Sequence, residues 1–272
     1  MLKKIKKRLG YIKRGLIGYV QNNFEKTPKF PQNIKNHIIG KSGKGKDIEC
    51  YQIGAGSQII LYAFGLHGNE IGTIKLAYNF INWIYQNQNK LENYTLFIIP
   101  CLNPDGYELA LKNPDYFNGG RFGRFNANNV DLNRNFDTPN FNKKSVWSFG
   151  KDYSDTLEVY CGEYGNSESE TKSLTDFVRD QNVRIIFMFH NAGKYVMGNK
   201  NELSQKLTKL FARKTGFGYV SNEDWEKLNQ TGTMKEWCDI NHVAYIEIEG
   251  STRWGSDWDI QKEAIKTTLF TI

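Results

Sequence analysis

The chain has 272 residues, of which 39% are hydrophobic and 24% are charged, and this composition is typical of a globular protein with a sizeable core. Its net charge of +7 is carried by the first fourteen residues, which contain seven Lys and Arg and no acid. The rest of the chain is therefore close to neutral, and we expect no nucleic-acid-binding surface on it.

An amphipathic basic helix is predicted at the N-terminus. Its apolar residues recur at spacings of three and four, and they are Leu2, Ile5, Leu9, Ile12, Leu16 and Tyr19. Lysines and arginines surround this stripe, so we expect the helix to dock on the domain, to contact an anionic membrane surface weakly, or to stay disordered. The segment is too polar to span a bilayer and lacks the apolar run of a secretory signal, which favours a cytoplasmic protein.

Pro28 and Pro31 mark the boundary between this extension, residues 1–30, and a domain at residues 31–272. The domain opens with residues 38–54, which predict two short strands around a turn rich in Gly and Lys. The turn lacks the spacing of a phosphate-binding Walker loop, so we interpret it as the turn of a β-hairpin.

Strand and helix patterns alternate through the domain. An apolar strand at residues 59–64 precedes a helix at 71–86 and a second strand at 94–100. Further elements are predicted as helices at 168–179, 201–215 and 233–239 and as strands at 183–189 and 243–248. This order predicts a single-domain α/β fold with a mixed, mostly parallel twisted sheet and helices on both faces.

A long segment rich in Gly and Asn interrupts the regular pattern. Asn103-Pro104-Asp105-Gly106 is interpreted as a turn, and a loop then runs to Phe136. The loop carries several charged and amide side chains, namely Arg121, Arg124, Asp131, Asn133 and Arg134. Because a loop of this length in a domain is usually functional, we expect these groups to take part in a site.

Three predicted strands end on residues that can bind metals or move protons. His67 and Glu70 follow the first strand, His190 follows another, and Glu249 lies at the end of the last. Ligands of open α/β sheets bind at the carboxyl ends of strands, so these side chains are expected to meet. Two histidines and a glutamate form the ligand set of a catalytic zinc site, which predicts one Zn²⁺ per chain.

These features resemble the zinc metallocarboxypeptidases of the carboxypeptidase A type, and most closely their bacterial murein-peptide amidase branch. The matching segments are His67-Gly68-Asn69-Glu70, Asn103-Pro104-Asp105-Gly106, Arg124-x-Asn126 and Val130-Asp131-Leu132-Asn133-Arg134-Asn135-Phe136. The resemblance runs from about residue 37 to the end of the chain. It implies the α/β fold of that family and a zinc-dependent hydrolase that cleaves a peptide bond next to a free carboxylate.

The resemblance also implies roles for single residues. His67, Glu70 and His190 would bind zinc, and Asp131 would orient one of the ligand imidazoles from behind. The partners of the substrate would come from the long loop.

In that loop, Asn133 and Arg134 would hold the substrate carboxylate, for which a planar guanidinium offers a bidentate fork. Arg124 would stabilise the oxyanion, and Arg121 is the competing candidate for this role.

The general base is one of two glutamates in the last predicted strand. In residues 245–249 alternate side chains share a face, so both Glu247 and Glu249 can face the site. The resemblance to the bacterial branch places the base about twelve residues after Trp237-Cys238, which selects Glu249. The resemblance of Arg253-Trp254-Gly255 to a segment of animal enzymes selects Glu247 instead. We favour Glu249, because the spacing from helix to strand varies less than the loop beyond it.

Two other functions fit part of the pattern. The segment from Gly65 to Glu70 is equally typical of N-acyl-amino-acid deacylases, and on this segment the chain also resembles the aspartoacylase and succinylglutamate desuccinylase group. A non-catalytic binding module with the same fold is the third hypothesis, and the retained ligands and arginines disfavour it. We expect a peptide or murein peptide as substrate, and no residue indicates which side chain its terminal residue carries.

Overall fold

The protein is described by a computed structural model. The structure describes residues 2–26, 28–31, 34–118, 120–149 and 155–272. At its centre is an eight-stranded sheet in the order β1-β2-β4-β3-β7-β10-β8-β9, beside a separate two-stranded hairpin, β5-β6. Strand pairs β3-β4, β3-β7, β7-β10 and β8-β9 are parallel, and the other pairs of the large sheet are antiparallel. The prediction of a mixed, mostly parallel sheet is thus confirmed.

The elements have the following bounds. The strands are β1 (Lys35–Lys41), β2 (Asp47–Gly54), β3 (Gln58–Phe64), β4 (Tyr94–Ile99), β5 (Lys144–Phe149), β6 (Asp155–Tyr160), β7 (Ile185–Asn191), β8 (Tyr195–Gly198), β9 (Gly218–Val220) and β10 (Ala244–Gly250). The helices are α1 (Leu2–Phe24), α2 (Ile71–Gln86), α3 (Pro104–Lys112), α4 (Ser169–Asp180), α5 (Glu202–Thr215), α6 (Asn222–Glu226), α7 (Met234–Ile240) and α8 (Trp258–Leu269).

Helices cover both faces of the large sheet, as predicted. Successive side chains of a strand point to opposite faces, and in β3 Tyr62 and Phe64 enter one core cluster while Leu61 and Ala63 enter another. The first cluster contains side chains of α2, α5 and α8, and the second contains side chains of α4 and α7. Burial of both faces explains why the central strands are almost continuously apolar.

The three central strands β3, β7 and β10 are parallel neighbours, and their carboxyl ends lie at the same edge of the sheet. Their register pairs Phe64 with Phe189 and Glu249 with His190. The polar residues at these strand ends are therefore brought to one place, which confirms the expectation from the sequence.

The interpretation of Asn103-Pro104-Asp105-Gly106 as a turn is wrong, because a helix begins there. Pro104 is the first residue of α3, and the Asn103 side chain caps the helix by accepting a hydrogen bond from the Gly106 N–H at 2.8 Å. Asn before and Pro at the first helical position are both favourable at a helix start. The sequence patterns also do not predict β5, β6, β8, β9, α6 or α8.

The C-terminal half of α1 packs on the domain. Gly15 and Gly18 allow this close approach, because a Cβ there would overlap the rings of Phe117 and Trp254 respectively. The Thr252 hydroxyl donates to the Gln21 side chain at 2.7 Å. Among the helices in the described ranges, none combines the length and apolar character needed to cross a bilayer.

Candidate active site

His67 and Glu70 lie on a tight turn between β3 and α2. The Glu70 N–H donates to the His67 carbonyl at 3.1 Å, and Glu70 is the residue that immediately precedes α2. The turn packs directly on α3, since a Cβ at Gly68 would overlap the backbone of Gly106 and Tyr107. A glycine is therefore required at this position to hold both side chains in place.

His190, near the end of β7, completes a cluster of three potential ligands. The side chains of His67, Glu70 and His190 are buried, and one ligand atom of each lies within 4.8 Å of the others. The two oxygens of Glu70 face the two rings, one at 3.1 Å from His67 Nδ1 and the other at 3.0 Å from His190 Nδ1. Three donors thus converge on one point at the carboxyl edge of the sheet.

Asp131 orients the imidazole of His67. Its Oδ1 lies 3.1 Å from His67 Nε2. In the tautomer in which Nε2–H donates a hydrogen bond to this carboxylate, the lone pair of His67 Nδ1 is directed toward Glu70. Two imidazoles and a carboxylate, with the tautomer of one fixed from behind, fit the donor set of a catalytic zinc ion.

The charges of the cluster are strongly coupled. Burial alone would raise the pKa of Glu70, but His67 and His190 hold it well below its usual range. Burial would lower the pKa of His190, and the Glu70 carboxylate more than offsets this effect and raises it to about 9. The opposite shifts show that the Glu70 carboxylate and the His190 imidazole stabilise each other's charged forms.

Arg124 lies beside the cluster and is fixed by Asp131. Its Nη2 and Nε donate to Asp131 Oδ2 at 2.8 and 3.1 Å, and its guanidinium stacks 4.2 Å from the centre of the Trp147 ring. Its Nη1 lies 3.4 Å from His67 Nδ1, so one free end of the fork points at the cluster. The competing candidate Arg121 is exposed and does not line the cavity.

Asn133 and Arg134 lie on a single 3₁₀ turn that Asp131 caps. Arg134 donates from Nε to the Val146 carbonyl at 3.1 Å and from Nη1 to the Asn133 carbonyl at 2.6 Å. Among the described residues none accepts a hydrogen bond from its Nη2. Both side chains are buried in the protein yet line the cavity, so they can bind a ligand there.

Both candidate bases of β10 face the cavity, as the alternation of a strand requires. Glu249 is paired in register with His190, and Glu247 is paired with Met188 one repeat earlier. Burial and the neighbouring Glu70 raise the pKa of Glu249 to about 8. Glu247 accepts a hydrogen bond from the Tyr245 hydroxyl at 2.7 Å.

These side chains surround one cavity with a volume of about 380 Å³. Its wall includes the predicted site residues His67, Glu70, Arg124, Asn133, Arg134, His190, Glu247 and Glu249. Asp131 is fully buried behind His67 and does not reach the cavity surface. The structure therefore brings the predicted residues together, with the three potential metal ligands and Glu249 at the carboxyl edge of the sheet.

Arg253 also lines the cavity, although the sequence motifs assign it no role in the site. It shares the cavity wall with the three potential ligands, and burial lowers its pKa while the Glu70 carboxylate partly opposes this effect. Its carbonyl accepts from the Gly72 N–H at 2.8 Å, which ties the loop after β10 to the start of α2. The signal for this residue was its charge in a short loop directly after a strand that carries a candidate base.

Comparisons with known proteins agree with this geometry. Over 122 residues the chain is 31% identical to carboxypeptidase D of Anas platyrhynchos, and the alignment covers 40% of this chain and 9% of that protein. For carboxypeptidase B2 of Rattus norvegicus the identity is 28% over 173 residues, covering 59% and 36%. The solved structure of the murein-tripeptide amidase MpaA of Escherichia coli O157 superposes with a TM-score of 0.69 at 21% identity, covering 91% of this chain and 94% of that one. The last comparison shows a shared fold.

The chain spans well under half the length of carboxypeptidases D and B2. The sequence profile of the zinc carboxypeptidase family matches residues 24–253. This match covers most of the chain and includes the three potential metal ligands and both glutamates of β10. The chain therefore belongs to the zinc carboxypeptidase family.

Proposed function

We propose that the protein is a zinc-dependent hydrolase that cleaves a peptide bond next to a free carboxylate, as a carboxypeptidase or a murein-peptide amidase. One observation carries the proposal. The ligand atoms of His67, Glu70 and His190 converge within 4.8 Å in the wall of a cavity that also holds Glu249 and Arg134. A metal-binding site, a general base and a carboxylate-binding group are the parts that this reaction needs.

His67, Glu70 and His190 hold the metal in this proposal. A zinc ion bound there would activate water as a nucleophile and polarise the scissile carbonyl. Asp131 keeps the Nε2 proton on His67 and so leaves Nδ1 available as a ligand.

Glu249 is the proposed general base. It takes a proton from the attacking water and delivers it to the leaving amine, so one carboxyl group acts first as base and then as acid. Its register with His190 supports this role, because it places Glu249 beside one of the three potential metal ligands. Without a metal, burial and the neighbouring Glu70 raise the pKa of Glu249 to about 8, and a bound divalent cation would favour the ionised form that a base needs.

Arg124, Asn133 and Arg134 position the substrate. The Nη1 group of Arg124 donates to the developing oxyanion, because its other donors are engaged by Asp131. The Arg134 and Asn133 side chains bind the terminal carboxylate. The hydrogen bonds from the Arg134 side chain to two main-chain carbonyls keep its guanidinium oriented.

The test compares Glu249→Gln with Glu247→Gln on a panel of peptides and a murein tripeptide. Glu249→Gln is expected to retain one zinc ion per chain and to lose about 10³-fold in kcat. An active Glu249→Gln beside an inactive Glu247→Gln would assign the base to Glu247. Hydrolysis of N-acyl amino acids without hydrolysis of any peptide would identify a deacylase, and absence of stoichiometric zinc would favour a binding module.

We further propose that residues 1–30 form an extension docked on a catalytic domain at residues 31–272, in a cytoplasmic protein. The four free cysteines support a reducing compartment. Cell fractionation that finds the protein in the medium would refute this location.

The same extension is proposed to contact an anionic membrane surface weakly. On α1 the apolar side chains of Leu9, Leu16 and Phe24 are exposed, and the basic residues Lys13 and Arg14 lie on the same helix. Sedimentation with vesicles tests this contact. Binding to vesicles with anionic lipid, weakened in a Leu16→Glu variant, is expected, and equal binding to neutral vesicles would contradict it.

A further inference from the structure

Arg253 is a cavity-lining arginine to which the proposed function assigns no role. Its Nη1 atom is buried and has no hydrogen-bond partner among the described residues, whereas Arg124 is paired with Asp131 at 2.8 Å. A buried donor without a partner is costly. An acceptor supplied by a ligand in the cavity would recover this cost.

Arg253 and Arg134 are anchored to different walls of the cavity. The Arg253 carbonyl accepts a hydrogen bond from the Gly72 N–H at 2.8 Å, two residues after the potential metal ligand Glu70. Arg134 instead donates from Nε to the Val146 carbonyl of β5 at 3.1 Å. If Arg134 holds the terminal carboxylate, the scissile carbonyl lies beside the potential metal ligands. Arg253 then faces the part of the substrate on the acyl side of that bond.

The loop after β10, which carries Arg253, is bound to the C-terminal end of α1. Glu25 directly follows α1, and its carboxylate accepts hydrogen bonds from the Ser256 N–H at 3.0 and 3.1 Å and from the Ser256 hydroxyl. The Thr252 hydroxyl donates to the Gln21 side chain at 2.7 Å. These contacts lie on both sides of Arg253 in the chain, so they fix the backbone from which its side chain projects.

The same end of α1 is also fixed to α2. The Lys75 ammonium donates to the Gln21 main-chain carbonyl at 2.7 Å and lies 4.0 Å from a carboxylate oxygen of Glu25. A Cβ at Gly255 would overlap the Gln21 side chain, so the loop after β10 packs directly against α1. Because α2 begins with the residue that follows Glu70, the two helices and the loop form one packed unit beside the potential metal ligands.

We propose that Arg253 binds a peptide carbonyl on the acyl side of the substrate, and that Gln21 and Glu25 are positioning residues that hold it there. The inference rests on the proposed function, because it takes Arg134 as the carboxylate-binding residue. Arg124 serves the scissile carbonyl in that function, so the acceptor for Arg253 is the next peptide carbonyl along the substrate. The N-terminal extension is then part of the active site rather than a separate module.

The experiment uses the zinc-loaded full-length protein and two substrates that differ only on the acyl side. Both end in the residue that the peptide panel shows to be preferred. One carries an N-acetylglycyl group, and the other carries a pentanoyl group, which has the same chain length without the second peptide group. The wild-type protein is expected to show a kcat/KM about 10–100-fold higher for the acetylglycyl substrate. Arg253→Ala is expected to remove this preference while it still binds zinc and hydrolyses the pentanoyl substrate.

Glu25→Ala tests the positioning. It is expected to lower the preference for the acetylglycyl substrate about fivefold. The double variant Glu25→Ala/Arg253→Ala is expected to show the same preference as Arg253→Ala alone, because Glu25 acts only through Arg253. Effects that multiply in the double variant would show that Glu25 acts elsewhere, and they overturn the positioning role.

The control is Asn23→Ala, because the Asn23 side chain donates to the Tyr116 hydroxyl at 3.1 Å rather than to the loop after β10. It is expected to leave the preference unchanged. Equal kcat/KM values of the wild-type protein for the two substrates overturn the inference, and this comparison needs no variant to fold. A preference that persists in Arg253→Ala also overturns it. Hydrolysis of no peptide by the wild-type protein, or of the pentanoyl substrate alone, refutes the proposed function itself.

Discussion

Zinc binding is predicted to depend steeply on pH, through His190. In the metal-free protein burial would lower the pKa of His190, but the Glu70 carboxylate raises it to about 9. Zinc accepts only the neutral imidazole, so below pH 9 the metal must displace a proton. One displaced proton makes the zinc Kd fall about tenfold for each unit of rising pH, which is about 1.4 kcal/mol per unit. Affinity should therefore increase up to about pH 9 and then level off.

Below pH 8 the dependence should be steeper. Burial and Glu70 raise the pKa of Glu249 to about 8, so this carboxyl group is also protonated in the metal-free protein at neutral pH. A divalent cation favours its ionised form, and binding releases part of a second proton. Glu249→Gln removes this contribution and leaves the slope that belongs to His190.

The assay is competition with a chelator of known affinity at intervals from pH 6.5 to pH 10. Calorimetry in two buffers with different ionisation enthalpies counts the released protons directly. His242→Asn is a suitable control, because His242 is exposed and its left-handed backbone conformation tolerates asparagine. A zinc Kd that stays constant between pH 7 and pH 9, or release of no proton at pH 8.5, would refute the reasoning.

Three further predictions concern the support of the site. Asp131→Asn weakens the acceptor behind His67 and is expected to lower zinc affinity by about 10–100-fold in the chelator competition. Gly68→Ala places a Cβ against the backbone of Tyr107, and denaturant unfolding should show a loss of about 1–3 kcal/mol, with unchanged stability contradicting the overlap. Trp254→Ala opens the buried contact with α1 and should lower the free energy of unfolding by about 3–5 kcal/mol; a loss below 1 kcal/mol would show that the contact contributes little.

The parts of the fold with strong periodicity could be predicted from the sequence. The helix predicted at residues 71–86 is α2 (Ile71–Gln86), because its apolar face repeats with helical spacing. The central strands are short apolar runs that end in polar residues, and β3 and β7 follow this pattern. The parallel order brings such ends together, so the potential metal ligands could be named before their geometry was known.

Segments whose sequence pattern fits two different local structures could not be assigned from the sequence. Asn103-Pro104 fits the start of a turn and the start of a helix equally, and the outcome depends on whether the following residues can pack. In α3 they do, since Ala110 is buried against Ile71 and Trp254 in a separate small cluster. Such a contact between distant segments is a tertiary effect that local propensity does not contain.

In the site, too, some residues are indicated by the local sequence pattern, whereas others depend on contacts between distant segments. Motif spacing favours Arg124 over Arg121, three residues earlier in the same loop, but does not exclude Arg121. The structure separates them by their surroundings, because Arg124 is bound to Asp131 and Arg121 is exposed. Arg253 lines the cavity, and the hydrogen bond from the Gly72 N–H to its carbonyl ties the loop after β10 to α2, a contact between distant segments that no local pattern indicates.

The arrangement of charges explains why the two glutamates of β10 can have different roles. Glu249 lies beside the metal cluster, where burial and Glu70 hold its proton until a cation is present. Glu247 is buried one repeat away, beside Arg134, and has a tyrosine hydroxyl as its hydrogen-bond partner. Glu249 therefore interacts mainly with Glu70 and His190, whereas the Glu247 charge also acts on Arg134. Alternation along one strand thus places both glutamates on the same face, about 7 Å apart, in different electrostatic surroundings.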